Sequence, residues 1–279
     1  MCTIITEKTI TEFAQKLREE EREEATIEKY SRILRKLGEW LDGRTVTRQR
    51  LMEYRDELLK TRSAGTVNGA VSAINTWLKL AGMGEWRIKL LKVQRRAFCP
   101  AEKELGREEY QRLIAAAKKA GDERLLLVME TICATGIRVS EVRYITVEAI
   151  QNGRAEISLK GKNRTILLPG KLCRKLRKYV RKKKIGTGPV FLSRTGKALS
   201  RKRIWAQMKD LCASAGVDAA KVFPHNLRHL FARCFYKATR DVAKLADVLG
   251  HSSMETTRIY LMTSGAEHIR TLDRLRLVS

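Results

Sequence analysis

With 279 residues, 43% hydrophobic and 32% charged, the chain is long enough for two packed domains and too apolar for a disordered tail. Its 57 Lys and Arg against 31 Asp and Glu leave a formal net charge of +26. Such an excess attracts polyanions, nucleic acid first, because neutralising phosphates releases condensed counterions. No apolar run approaches a membrane span, and Met1 to Lys8 is too short and polar for a signal peptide. The six cysteines (Cys2, Cys99, Cys133, Cys173, Cys212, Cys234) form no Cys-x-x-Cys pair, which argues against zinc and for reduced thiols in a cytosol.

Residues 6–24 predict a first helix, with Ile10, Phe13 and Leu17 on one side. Ile27, Tyr30, Ile33, Leu34, Leu37, Trp40 and Leu41 recur at three- and four-residue steps, a second amphipathic helix ending near Asp42-Gly43. Thr47 suits the N-cap of a third, carrying Leu51, Tyr54, Leu58 and Leu59. A fourth spans Ala64 to Leu80 with Val67, Val71, Ile74, Trp77 and Leu78 inward, so a small bundle should bury Trp40 and Trp77. Lys79, Arg87, Lys89, Lys92, Arg95 and Arg96 follow on or near its surface, as a solvated charged face or a DNA-facing one.

Periodicity stops between Val93 and Glu104, around Pro100. We divide the chain there into a helical domain 1–96, a linker 97–104 and a second domain 105–279. Tyr110, Leu113 and Ile114 open a new helix, and Arg124 to Ala134 is apolar enough to be a core helix. It stops at Thr135-Gly136, and Ile137-Arg138-Val139-Ser140-Glu141-Val142 restarts at once. A charge such as Arg138 in an apolar run needs a partner, and it reads equally as a buried ion pair with Glu141 three residues on or as a functional arginine.

Two short strand patterns, Ala155–Leu159 and Thr165–Pro169, flank a basic turn, Lys160-Gly161-Lys162-Asn163-Arg164. That turn reads either as a solvated tip or as a loop that reaches into a groove. Arg174 to Lys184 packs eight cations into eleven residues around Leu176, Tyr179 and Val180. Pro189–Leu192 looks like a third strand, and Arg201 to Ala215 like a helix with Ile204, Trp205, Met208 and Leu211 inward. The fold class is therefore mainly α with a small antiparallel β-sheet.

The densest chemistry lies from Phe223 to Leu261. His225-x-x-Arg228-His229 begins a helical pattern, Leu249-Gly250-His251 ends another, and Tyr260 follows His251 by nine residues. Together with the upstream Ala134-Thr135-Gly136-Ile137-Arg138-Val139-Ser140-Glu141, this set resembles the tyrosine recombinase (integrase) family over residues 105–279. Residues 6–96 resemble that family's helical core-binding, SAM-like bundle, a weaker signal because small bundles are common.

The resemblance implies that Tyr260 attacks a DNA phosphodiester to give a 3′-phosphotyrosyl link and a free 5′-hydroxyl. A phenol with a pKa near ~10 needs a proton acceptor at neutral pH, a role for His225. Arg138 and Arg228 would hold the non-bridging oxygens, and His251 would add a hydrogen bond to them. Lys160 would protonate the leaving oxygen, with Lys162 its nearby rival, and Glu141 would orient Arg138 or a histidine from behind. His229 is read as structural and His268 as a surface residue. The resemblance implies no metal, since guanidinium groups do the charge work, and no cofactor, since the bond energy stays in the phosphotyrosine.

The implied partner is double-stranded DNA with an inverted-repeat core site, bound by a tetramer of the chain in the cytoplasm, at the nucleoid. An accessory directionality factor is an open partner. In this family the segment Ala266 to Leu277 packs on a neighbouring protomer or on its own domain. The chain starts close to the core-binding bundle, so the arm-binding domain of some phage integrases is not expected, which leaves integration or excision of a mobile element and Xer-like resolution both open. The alternatives are a non-catalytic DNA-binding protein on this scaffold, a type IB topoisomerase and a telomere resolvase.

Overall fold

In a computed structural model of the chain, the structure describes residues 4–93, 104–159, 162–251, 253–261, 269 and 272–275. Its contacts divide the chain into two compact units, Met1–Arg95 and Arg96–Ser279. The fold is mainly α with one two-stranded antiparallel sheet.

The first unit holds α1 (Glu7–Glu19), α2 (Glu24–Leu41), α3 (Arg48–Thr61) and α4 (Ala64–Leu80). Thr6, Thr47 and Ser63 cap α1, α3 and α4 by accepting a backbone N–H of the first turn. Phe13, Leu17, Leu34, Leu37, Leu51, Ile74, Trp77 and Leu78 fill the core. The amides of Asn68 and Asn75 pair like strand partners with the backbone of Leu91 and Ile88, tying the segment after α4 to that helix.

Three details depart from the expected bundle. The first helix ends at Glu19 and not near residue 24, because Glu21 turns left-handed (φ +54°) and the acidic run would oppose the helix dipole at that end. Trp40 is half-buried, its ring tilted against Tyr54 and covered by Arg44. Leu59 is exposed, since Leu51 and Tyr54 define the inward face of α3.

The second unit is built on α6 (Glu123–Thr135), which packs against α11 (Pro224–Thr239) and α5 (Arg107–Lys119). A 3-10 turn (Val139–Tyr144) and α7 (Val147–Asn152) lead into β1 (Arg154–Leu159) and β2 (Lys162–Leu167). The strands pair in register from Arg154 with Leu167 to Leu159 with Lys162, so the hairpin is tighter than the five-residue turn expected. The third strand does not form. Pro189 and Leu192 make only isolated bridges to Thr146 and Ala198, because no sheet edge lies beside them.

α8 (Gly170–Lys183) buries Leu172, Leu176, Tyr179 and Val180 under its cationic face. The predicted helix at 201–215 is split at Leu211 into α9 (Arg201–Asp210) and α10 (Cys212–Ala215). Within α9, Ile204 and Met208 point into the core, whereas Trp205 is exposed beside Lys209. α12 (Val242–Leu249), α13 (Met254–Arg258) and a final 3-10 turn (Ile259–Leu261) complete the unit. Most of the linker 97–104 lies outside the described residues, as does His268; of the Ala266–Leu277 segment, Ile269, Leu272 and Leu275 are described and exposed. No helix among the described residues is long and apolar enough to cross a membrane.

Candidate active site

Four local structures converge on one cluster. The first is the start of α11, where Phe223 is the N-cap and Pro224 the first helical residue, so His225, Arg228 and His229 fall on one side of two turns. Leu227 and Leu230 anchor the opposite side. The second is the end of α6, where Gly136 stops the helix in the left-handed region at φ +66°. A Cβ on Gly136 would lie 2.4 Å from Phe231 Cδ1 and 2.9 Å from Leu249 Cδ2, so α6, α11 and α12 meet only over a glycine.

Arg228 is the centre. It is 1% exposed and spends four N–H directions on the protein. Nη1 donates to Gly136 O (2.5 Å), Nη2 to Leu249 O (2.9 Å) and to His251 Nε2 (2.7 Å), and Nε to Tyr260 Oη (3.2 Å). Two of those acceptors are helix-end carbonyls, which lack partners inside their own helices. Burial first, offset in part by Tyr260, pulls the Arg228 guanidinium below its ordinary pKa.

A guanidinium only donates, so His251 Nε2 accepts and the ring proton sits on Nδ1, which donates to the buried Thr257 Oγ1 at 2.8 Å. Burial and then the Arg228, Arg138 and Arg164 charges hold this imidazole down to about 4, so it is neutral at pH 7. Tyr260, in the turn after α13, is 7% exposed among three imidazoles, with ring centroids at 4.3 Å (His229), 5.4 Å (His251) and 5.5 Å (His225). His229 meets His225 edge-on at 4.7 Å, and burial with its charged neighbours holds it to about 4 as well. His225 is shifted down for the same main reason, burial, followed by Arg228 and Arg138.

The third structure is the 3-10 turn after Gly136. Glu141, 3% exposed, accepts from the Arg138 backbone N–H (2.7 Å) and from Arg138 Nη1 (3.0 Å). The Arg138 side chain itself is 44% exposed, so its charge is anchored from behind and open in front. The fourth is the hairpin. Arg164 of β2 donates Nη1 to both Glu141 oxygens at 3.1 Å and Nη2 to Val248 O at 2.8 Å. Lys160 lies outside the described residues, and Lys162 opens β2.

A cleft of about 510 Å³ borders the cluster, lined by Arg138, Ser140, Arg201, Lys202, Trp205 and His225 among others. Its walls carry cations and an exposed indole, which suits a polyanion. Among the described residues no group of three His, Cys, Asp or Glu is placed to hold a metal ion.

The phage integrase family model matches residues 103–266, more than half of the chain and every side chain of this cluster. The chain belongs to the phage integrase family. These tyrosine recombinases are DNA strand-transferring enzymes, and this chain is one of them. It is 29% identical over 274 residues to tyrosine recombinase XerA of Pyrococcus furiosus, covering 94% of this chain and 92% of the relative. Among solved structures it is similar to the XerH site-specific recombinase bound to difH substrate in a pre-cleavage complex, with TM-score 0.71, 20% identity, and 96% and 84% of the two chains covered. A lambda integrase tetramer bound to a Holliday junction gives TM-score 0.73 at 17% identity over 91% and 76% of the two chains. Those structures speak for the shared fold, mostly helical with a two-stranded antiparallel sheet.

Sequence reasoning brought six of its site residues to this recombinase's cluster: Arg138, Glu141, His225, Arg228, His251 and Tyr260. It missed Arg164 and Trp205. A signal for Arg164 was present. Arg164 and Ile166 alternate on the inward side of β2, with Leu168 continuing the pattern just past it, and a charge at such a position needs a buried partner. Trp205 gave no signal, since an indole at helical spacing reads as core.

Proposed function

We propose that this chain is a site-specific recombinase that cuts and rejoins double-stranded DNA through a 3′-phosphotyrosyl intermediate on Tyr260. The observation that carries the reading is the contact from Arg228 Nε to Tyr260 Oη at 3.2 Å. It places the phenol oxygen on the buried guanidinium that is to hold the scissile phosphate, so nucleophile and phosphate meet at one point.

In the step proposed, Tyr260 Oη gives its proton to neutral His225 and bonds to phosphorus. The bond from phosphorus to the 5′-oxygen breaks, and that oxygen takes a proton from Lys160. Arg138 and Arg228 hold the non-bridging oxygens through the five-coordinate transition state. The scissile phosphate takes the Arg228 directions now filled by Tyr260 Oη and His251 Nε2, which frees the phenol to attack. His251 then faces an anion instead of a cation, gains affinity for a proton on Nε2, and donates to the phosphate. Glu141 holds Arg138 in place. Rejoining runs the same chemistry in reverse, with a 5′-hydroxyl of another strand as nucleophile.

The first unit serves as the core-binding domain and the second as the catalytic one. The DNA is an inverted-repeat core site bound by a tetramer. Similarity to XerA along nearly the whole chain favours Xer-like resolution over movement of a mobile element.

Covalent capture in EDTA tests the reading. Wild-type and Tyr260→Phe proteins are mixed with fragmented source DNA, and detergent-resistant adducts are recovered and sequenced. Adducts that need Tyr260 and converge on one inverted repeat are expected. Tyr260→Phe should keep DNA affinity and lose every adduct; recombination by that variant sinks the assignment of the nucleophile. Relaxation without a preferred site would make the chain a topoisomerase.

A further inference from the structure

Arg228 already bridges the end of α6 to the end of α12, and Arg164 adds a second bridge that takes in the Arg138–Glu141 pair itself. Its Nη1 binds both oxygens of Glu141, the carboxylate that anchors Arg138. Its Nη2 binds the carbonyl of Val248 at the end of α12, one residue before the carbonyl held by Arg228. Two guanidinium groups thus cap consecutive carbonyls of one helix end, and His251 follows directly.

The path of Arg164 across this helix end is fixed by Gly250. A Cβ there would sit 2.4 Å from Arg164 Cδ and 2.6 Å from Nε, so the guanidinium crosses directly over the glycine. Arg164 Nε is buried in that contact with no hydrogen-bond partner among the described residues. Such a cost is tolerated only where the rest of the side chain is strongly held. The side chain is 12% exposed and its Nη1 and Nη2 are spent on Glu141 and Val248, so it acts through its neighbours and not on DNA.

We propose that Arg164 is the positioning residue of this site: it locks the Arg138–Glu141 pair to the α12 end that carries His251, so that Arg138 and His251 meet one phosphate as a rigid unit. The proposal rests on the recombinase reading above for the role of Arg138 and His251.

The test compares wild-type, Arg164→Met and Arg164→Lys proteins on a nicked duplex of the captured core sequence. The scissile position carries either a normal phosphate or a methylphosphonate. On phosphate, the adduct rate of Arg164→Met should fall roughly 100-fold, the scale of an ångström-sized misplacement. Arg164→Lys should be little better, since a point donor cannot bridge a carboxylate and a carbonyl. A methylphosphonate lacks one of the two charged oxygens and needs less from Arg138, so the gap between wild type and Arg164→Met should narrow there. An equal ratio on both substrates would mean that Arg164 only supports folding, and wild-type rates would mean that it does nothing.

A second readout needs no DNA. Arg164 is one of the charges holding His251 at about 4, and without it the imidazole should titrate higher by NMR. An unchanged titration overturns the coupling. Should the wild-type protein form no Tyr260 adduct, the recombinase reading falls, and the His251 titration alone decides whether Arg164 couples the two parts.

Discussion

Truncating Arg228 should injure the protein twice, and the structure separates the two injuries. The side chain is among the largest that are fully buried, and Arg228→Ala strips the donor from Gly136 O and from Leu249 O. Each buried acceptor left without a partner costs about 1–3 kcal/mol, so the loss is about 2–6 kcal/mol before relaxation. Part of it is offset, because burial already penalises the charged guanidinium. Against a typical total of about 5–15 kcal/mol, this variant is marginal but can fold. Catalysis should fall further than stability explains, since losing one transition-state donor costs roughly 100- to 1000-fold. Urea unfolding and adduct formation on the captured core site, measured on the same preparations, keep the two effects apart. Arg228→Lys is the control: it keeps a charge, can satisfy one carbonyl, and should regain stability without regaining the rate. An Arg228→Ala protein with a wild-type unfolding midpoint would refute the structural account. One that is folded and forms adduct at the wild-type rate would refute the chemical one.

Two further outcomes follow from the same geometry. Gly136→Ala forces a left-handed backbone on a residue with a Cβ and drives that atom into Phe231; about 2–4 kcal/mol should be lost, and a urea midpoint equal to wild type would contradict the packing. The histidines set a pH window. His229 and His251 titrate at about 4 when folded against an ordinary 6.5, so the unfolded state binds more protons between those values. Their contribution is fully present above about 6.5 and is lost as pH falls towards about 4. Thermal unfolding between pH 5 and 7, above the range of ordinary carboxylates, should show falling stability on acidification, and His229→Gln should flatten it. Stability that rises on acidification in that window would contradict the burial of these rings.

Much of the site was legible because its chemistry is local in the chain. His225 and Arg228 are three residues apart, one helical turn, and His251 and Tyr260 are nine apart across a short helix. Spacing of that kind survives any choice of tertiary packing. The helices were legible for the same reason, since apolar positions repeating at three and four residues define a face without naming its partner. Errors fell where the partner decides. Pro189–Leu192 has strand composition, but a strand exists only against another edge, and none is there. Trp205 sits one residue from the buried Ile204 on α9, and the position of the core, not the periodicity, turned it out to the cleft.

By itself, then, the sequence determined the residue types, their local spacing, the charge that favours DNA, and the two helical segments on either side of residues 93–104. Only the tertiary structure decided that Gly136 O and Leu249 O, 113 residues apart, are held by one guanidinium, and that a strand arginine reaches both Glu141 and the end of α12. The physical reason is that a buried guanidinium must spend its donors on whatever acceptors the packing brings near. Helix-end carbonyls and a buried carboxylate become those acceptors only after α6, α11, α12 and the hairpin have closed around them.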